Sequence, residues 1–372
     1  MNINTLSISL SVLIISSCAS VETQNYQEVK LAPTKIDYDL IFEKYLEDDW
    51  EKTLSENPLF ATYTGDKRLN NKINSNSIEQ FIADKRSSEE SLMLLREIDS
   101  SKLSEENQLN YKLKEFGLLN SIGTQNFPTY YLRLNQRGGI QSFYETGNRL
   151  VYTNKQDYYD WLERLNQFVN NINNFLEINK EGLETGHTQP KLVTRGVISQ
   201  IESITSSDIE SNPYLKVFLE ADENILTASE KADLISDAKK LIENKINPAY
   251  VKLNNFLKNE YLPNSRNSIG IKDIPNGKDY YEFLAKFYTT TNLTPEEIHE
   301  IGLKEIKRIR SEMDEIIQKV NWDGDFNSFL NYLRTSPRFY YDNSEDLFNA
   351  YLIMSKTIDP LLPKIFKTFP RA

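Results

Sequence analysis

The chain has two imidazoles, His187 and His299, and a single thiol, Cys18. His299 opens Ile298-His299-Glu300-Ile301-Gly302-Leu303, which begins like the zinc helix His-Glu-x-x-His. In that motif the second His follows one helical turn later, so that both imidazoles reach one ion. Position 303 is Leu, and the motif is not completed. His299 is therefore expected to be a surface or interhelix hydrogen-bonding residue, just after a helix cap at Thr294. His187 lies in Glu184-Thr185-Gly186-His187-Thr188-Gln189-Pro190, a turn composition. It is expected to be an exposed turn histidine, with presentation to a substrate as the sharper alternative.

No Gly-x-Ser-x-Gly elbow and no phosphate-binding glycine loop occurs in the sequence. The 54 Asp and Glu residues give so many carboxylate pairs that sequence cannot select one at a glycosidase separation. Most are read as solvated helix faces. Catalytic residues thus stay unassigned, and no metal or cofactor site is expected in this chain.

Cys18 carries a different chemistry. Residues 1–17 form an apolar and small-residue run without a charged side chain, of signal-peptide length and too short to span a bilayer. Ile15-Ser16-Ser17-Cys18 reads as a lipobox: a branched apolar residue and two small ones lead a narrow peptidase cleft to the cysteine that receives lipid. The usual basic start is missing, since Lys30 is the first Lys or Arg. Residues 18–36 read as a lipidated Cys and a flexible tether. Ala19 in place of Asp argues for the outer membrane, facing the periplasm or the exterior. The expected partner of this end is the membrane, through a lipid at Cys18.

Residues 37–372 read as one helical domain. A net charge of −11 disfavours nucleic acid as a partner, and 21 Tyr with 18 Phe supply area for a core. Apolar residues at three- and four-residue steps predict a helix from Asp37 to Asn57, carrying Phe42, Tyr45 and Trp50 on one face. A second runs from Ser77 to Ile98. A third opens at Ser104 and turns Leu109, Leu113, Phe116 and Leu119 inward. The clearest spans Asn154 to Asn179, with a capping box of Thr153 and Gln156 and a core stripe through Trp161, Leu165 and Phe168. Another helical region covers Ala228 to Tyr261 with a joint at Pro248. Thr294-Pro295-Glu296-Glu297 is a complete start signal, and Ser344 opens a further helix. Weak strand signals lie at Tyr130–Leu134 and Gly139–Tyr144. The expected fold is all-α, an irregular multi-helix array with at most a minor β-hairpin.

Three stretches also carry a family resemblance: Pro58-Leu59-Phe60-Ala61-Thr62-Tyr63-Thr64-Gly65-Asp66, Tyr158-Tyr159-Asp160-Trp161-Leu162-Glu163-Arg164-Leu165, and Leu293-Thr294-Pro295-Glu296-Glu297-Ile298-His299-Glu300-Ile301-Gly302. In this order they resemble the bacterial exported family catalogued as domain of unknown function 885. The resemblance implies a helical scaffold, frequent lipoproteins and zinc-metallopeptidase likeness. In the family, zinc would be held by a later His-Glu helix with further histidines, which has no matching positions here. The expectation is an N-terminal portion that looks truncated after Phe369, inactive alone, with a peptide substrate or a missing C-terminal segment as partner. The alternatives are a non-catalytic peptide- or protein-binding envelope lipoprotein and a metal-independent hydrolase. A missing segment would leave an exposed apolar surface at Phe339, Tyr340, Tyr351 and Phe366.

Overall fold

The computed structural model describes residues 36–369. Helices α1 (Tyr38–Glu56), α3 (Ile78–Arg96) and α4 (Glu105–Gln125) form one packed group, with the short α2 (Pro58–Tyr63) following the first. Their core is Phe42, Leu92, Leu95, Ile98, Leu103, Tyr111 and Leu118. Ser77 and Ser104 accept hydrogen bonds from the backbone N–H three residues on, satisfying first-turn donors that no helix can pair internally.

A larger core gathers on α6 (Lys155–Glu184), which packs with α5 (Tyr144–Arg149), α7 (Lys191–Ser206), α8 (Lys216–Leu219), α9 (Ala228–Leu241) and α10 (Asn247–Phe256). Of the expected α6 stripe, Tyr158, Trp161, Leu165, Phe168, Ile172, Phe175 and Leu176 are buried in the core, while Leu162 and Val169 pack half-buried against it. The cap differs from the expected Thr153 and Gln156. Asn154 and Asp157 form the capping box, because Asp157 is already fixed by Lys67 Nζ at 2.7 Å and by Thr153 N at 2.7 Å.

The joint expected at Pro248 is real and is repeated. A π-helical turn, Ile242–Ile246, ends two residues before Pro248, and a second, Leu257–Tyr261, ends two residues before Pro263, in the Leu262-Pro263 pair that opens α11 (Leu262–Asn264). A proline inside a helix lacks an N–H and crowds the carbonyl four residues back. Widening the preceding turn to i→i+5 lets the helix run on without that clash.

Two readings of the sequence are corrected. The strand signals become 3-10 turns at Thr129–Leu132 and Ile140–Ser142, the second leading into α5. Among the described residues there is no strand, only an isolated bridge between Pro190 and Arg266. On α4 the inward face is also reversed: Leu109, Leu113, Phe116 and Leu119 are exposed, while Tyr111 and Leu118 are buried. Leu109 and Tyr111 stand two residues apart, about 200° around the helix, so an apolar stripe runs down each side. Only one side faces α3.

After residue 270 the chain changes character. Helix α12 (Gly277–Thr289) leans on α4, where Phe283 lies so close to Gly123 that a Cβ there would meet the ring at 2.6 Å. Beyond it run α13 (Pro295–Lys319), α14 (Phe326–Thr335) and α15 (Ser344–Ile358). Thr294 and Glu297 make the predicted capping box of α13. Among residues 278–369 the buried apolar side chain is Ile317.

Candidate functional site

The turn between α6 and α7 places His187. Gly186 takes φ +79°, a conformation glycine adopts without a Cβ penalty. With it, Gly186 N–H reaches Leu183 O at 3.3 Å and His187 N–H reaches Gly182 O at 2.8 Å. These two bonds close α6 as a Schellman motif and fold the His187 ring back onto the helix end. There it lies 5.3 Å from the Tyr131 ring, with Nδ1 3.0 Å from Thr185 Oγ1. Tyr131 in turn donates its hydroxyl to Glu181.

His187 is thus buried, not the exposed turn residue expected. Its Nε2 is shielded and has no hydrogen-bond partner among the described residues. Burial lowers its pKa from 6.5, because a charge is poorly solvated there. The folded state therefore holds the neutral ring, while the unfolded chain takes up a proton near pH 6.5. Stability from this group is complete above pH 6.5 and falls as pH drops toward the lower folded-state value. His187→Gln is expected to flatten the loss of thermal midpoint between pH 6.5 and 5. An unchanged slope in that variant would place the acid sensitivity elsewhere.

His299 is exposed near the start of α13, the surface position expected. The two imidazoles sit in unrelated settings, one buried against Tyr131 and the other on an open helix. Among the described residues no group of three or more His, Cys, Asp and Glu side chains could hold a metal ion. The residues present therefore do not fit the zinc implied by the resemblance. Cys18 lies outside the described residues.

The feature that stands out chemically is apolar. Phe339, Tyr340, Tyr351 and Phe366 are all exposed, as expected if a covering segment is missing. They belong to a wider surface. On α13 and its C-cap, Ile306, Ile309, Met313, Ile316 and Val320 recur at alternating steps of three and four residues, and all are exposed. On α15, Leu347, Tyr351, Met354 and Ile358 recur in the same alternation and are likewise exposed. Such spacing lays apolar side chains along one seam of a helix. The principal packing partner of α15 is the short 3-10 segment Asp359–Lys364 that follows it, and that leaves its seam open.

Residues the sequence reading did not single out form a buried polar anchor. Arg164, on the core side of α6, is fully buried. Its Nε donates to Lys72 O at 2.8 Å, and its Nη2 to Thr62 Oγ1 at 2.6 Å and Pro58 O at 3.2 Å. Beside it, Asn70 Nδ2 reaches Asp160 Oδ2 at 3.2 Å, and Lys67 pairs with Asp157. Burial pushes the Asp157 carboxyl up, but hydrogen bonds from Lys67 and Thr153 outweigh it and hold it below 3.8. The visible signal was Arg164 itself, a charge three residues after Trp161 and four before Phe168, inside the core stripe.

The model of the family described as "Bacterial protein of unknown function (DUF885)" matches residues 58–372. The chain belongs to this family. Among solved structures, the DUF885 chain is similar to one described as "the putative lipoprotein from Colwellia psychrerythraea". The TM-score is 0.74 at 21% identity, covering 90% of this chain and 61% of that one. This chain therefore spans about three fifths of that protein's length, and the likeness shows a shared fold. No curated protein matches the chain. No helix among the described residues is long and apolar enough to cross a membrane.

Proposed function

We propose that this DUF885 chain is a lipid-anchored protein of the cell envelope. Its helical body acts as the scaffold of a larger, metallopeptidase-like assembly, with no metal-ligand cluster among its described residues. The observation that carries the scaffold reading is the open apolar side of α13 and α15, on a body that superposes on part of a longer protein. Helices with bare apolar seams are built to be covered. The lipoprotein wording attached to the solved neighbour and the Ile15-Ser16-Ser17-Cys18 sequence support the address, with the outer membrane as the favoured layer.

Two measurements separate address from chemistry. Metabolic labelling with an alkyne fatty acid is expected to mark the chain. Cys18→Ser is expected to abolish the label and move the chain from the membrane pellet to the soluble fraction. Label retained in that variant would end the lipid reading. Separately, the purified chain with added zinc is expected to hydrolyse no peptide above the uncatalysed rate. Chelator-sensitive hydrolysis would show an enzyme complete in itself, and chelator-resistant hydrolysis would favour a carboxylate mechanism.

A further inference from the structure

The seams on α13 and α15 say what kind of surface would cover them. Ile306, Ile309, Met313, Ile316 and Val320 keep the three-four alternation over two heptads, and Leu347, Tyr351, Met354 and Ile358 keep it on α15. This alternation is the pattern that another helix reads, with each side chain entering a hole between four residues of the partner. Ile306 is 67% exposed, Tyr351 63% and Met354 58%. Isolated exposed apolar residues need no explanation, but continuous seams on two helices exceed what a monomer ordinarily leaves in water.

The flanks argue against a lipid surface as the occupant. Interfacial helices present a basic polar face to anionic lipid. Here Arg308 is already paired with Glu305 at 2.8 Å and Glu312 at 2.6 Å, and Arg310 with Asp314 at 3.1 Å. The chain as a whole carries −11. The comparison with the longer neighbour supplies the rest. A match covering 90% of this chain cannot leave out the whole stretch from α13 onward, so helices of this region have counterparts there. That protein also contains further chain outside the match.

We infer that the α13 and α15 seams dock an amphipathic helical segment, equivalent to the part of the longer neighbour outside the match. The inference rests on the scaffold reading but is independent of lipid at Cys18. Its test uses the full chain and two probes. One is the unmatched part of the Colwellia protein, produced as a separate polypeptide. The other is a synthetic four-heptad helix with Leu at the a and d positions and alternating Glu and Lys at e and g.

At least one probe is expected to form a one-to-one complex by light scattering and to lower the fluorescence of bound anilinonaphthalene sulfonate. Ile306→Glu and Tyr351→Glu, both on exposed positions, are each expected to weaken that complex at least tenfold with the helical circular dichroism and thermal midpoint kept. Leu113→Glu, on the exposed stripe of α4, is expected to leave it unchanged. Failure of both probes, or equal binding by the two seam variants, would overturn the inference. So would a dimer of the chain alone that Ile306→Glu dissociates, since the occupant would then be a second copy. Binding to phosphatidylglycerol vesicles lost in the same variants would make it a membrane. Each of these outcomes can occur whether or not Cys18→Ser alters the address.

Discussion

Replacing Arg164 by Ala is expected to lower the unfolding free energy by roughly 4 kcal/mol, read as a drop in the denaturant midpoint at unchanged slope. The guanidinium binds carbonyls of Pro58 and Lys72 and the hydroxyl of Thr62. The Pro58 to Ser77 stretch has little regular structure after α2, so its carbonyls have few ladder partners and depend on side chains. Removing Arg164 leaves Lys72 O without its donor, takes a charged donor from Thr62 Oγ1 and from Pro58 O, which keeps the Thr62 hydroxyl, and opens a cavity beside the Trp161 side of α6. Each unsatisfied buried group costs about 1–3 kcal/mol. Lys is not expected to rescue the loss, because a single ammonium cannot span acceptors that the planar fork reaches in several directions. Arg164→Lys should therefore remain at least half as destabilised as Arg164→Ala. A loss below about 1 kcal/mol for the Ala variant would mean that the 58–74 segment is held by other contacts.

How much of this was readable beforehand follows from what each signal physically measures. The cap of α13 was read well because one short motif decides it, Thr294 with Glu297, and the helix starts read at Ser77 and Ser104 fall on residues that stand at the N-cap. Asn154 displaced Thr153 at the head of α6 because Lys67, remote in sequence, fixes Asp157. Periodicity marked the α6 stripe because it is one wide face. On α4 the same method chose the wrong side, since two apolar stripes share the helix and periodicity does not say which one meets a neighbour. His187 was read as a turn residue, and it is one. Its burial depends on Tyr131, which arrives from a segment that itself looked like a strand. For the C-terminal helices the apolar residues were visible. That they stay uncovered is a tertiary fact, anticipated only through the resemblance that implied a further segment.

The α4 correction can be turned into a measured contrast with Phe168. Phe168→Ala is expected to cost about 3–5 kcal/mol, the usual range for emptying a buried ring. The ring stacks on Phe143 with centroids 4.1 Å apart, and it lies 6.1 Å from Tyr214 and 6.4 Å from Tyr250. These neighbours come from three other segments. They have little freedom to collapse into the space, because the Tyr214 and Tyr250 hydroxyls are 2.6 Å apart and Tyr250 also donates to Ile140 O at 2.8 Å. Moving either tyrosine inward would break a buried hydrogen bond, so the cavity should persist and its full cost should appear. Leu113→Ala, on the outward stripe of α4, is expected to change stability by no more than about 0.5 kcal/mol. A Leu113 loss near 2 kcal/mol would show that this stripe is covered in solution. The open surface would then be confined to α13 and α15, where the seam spacing calls for a helix.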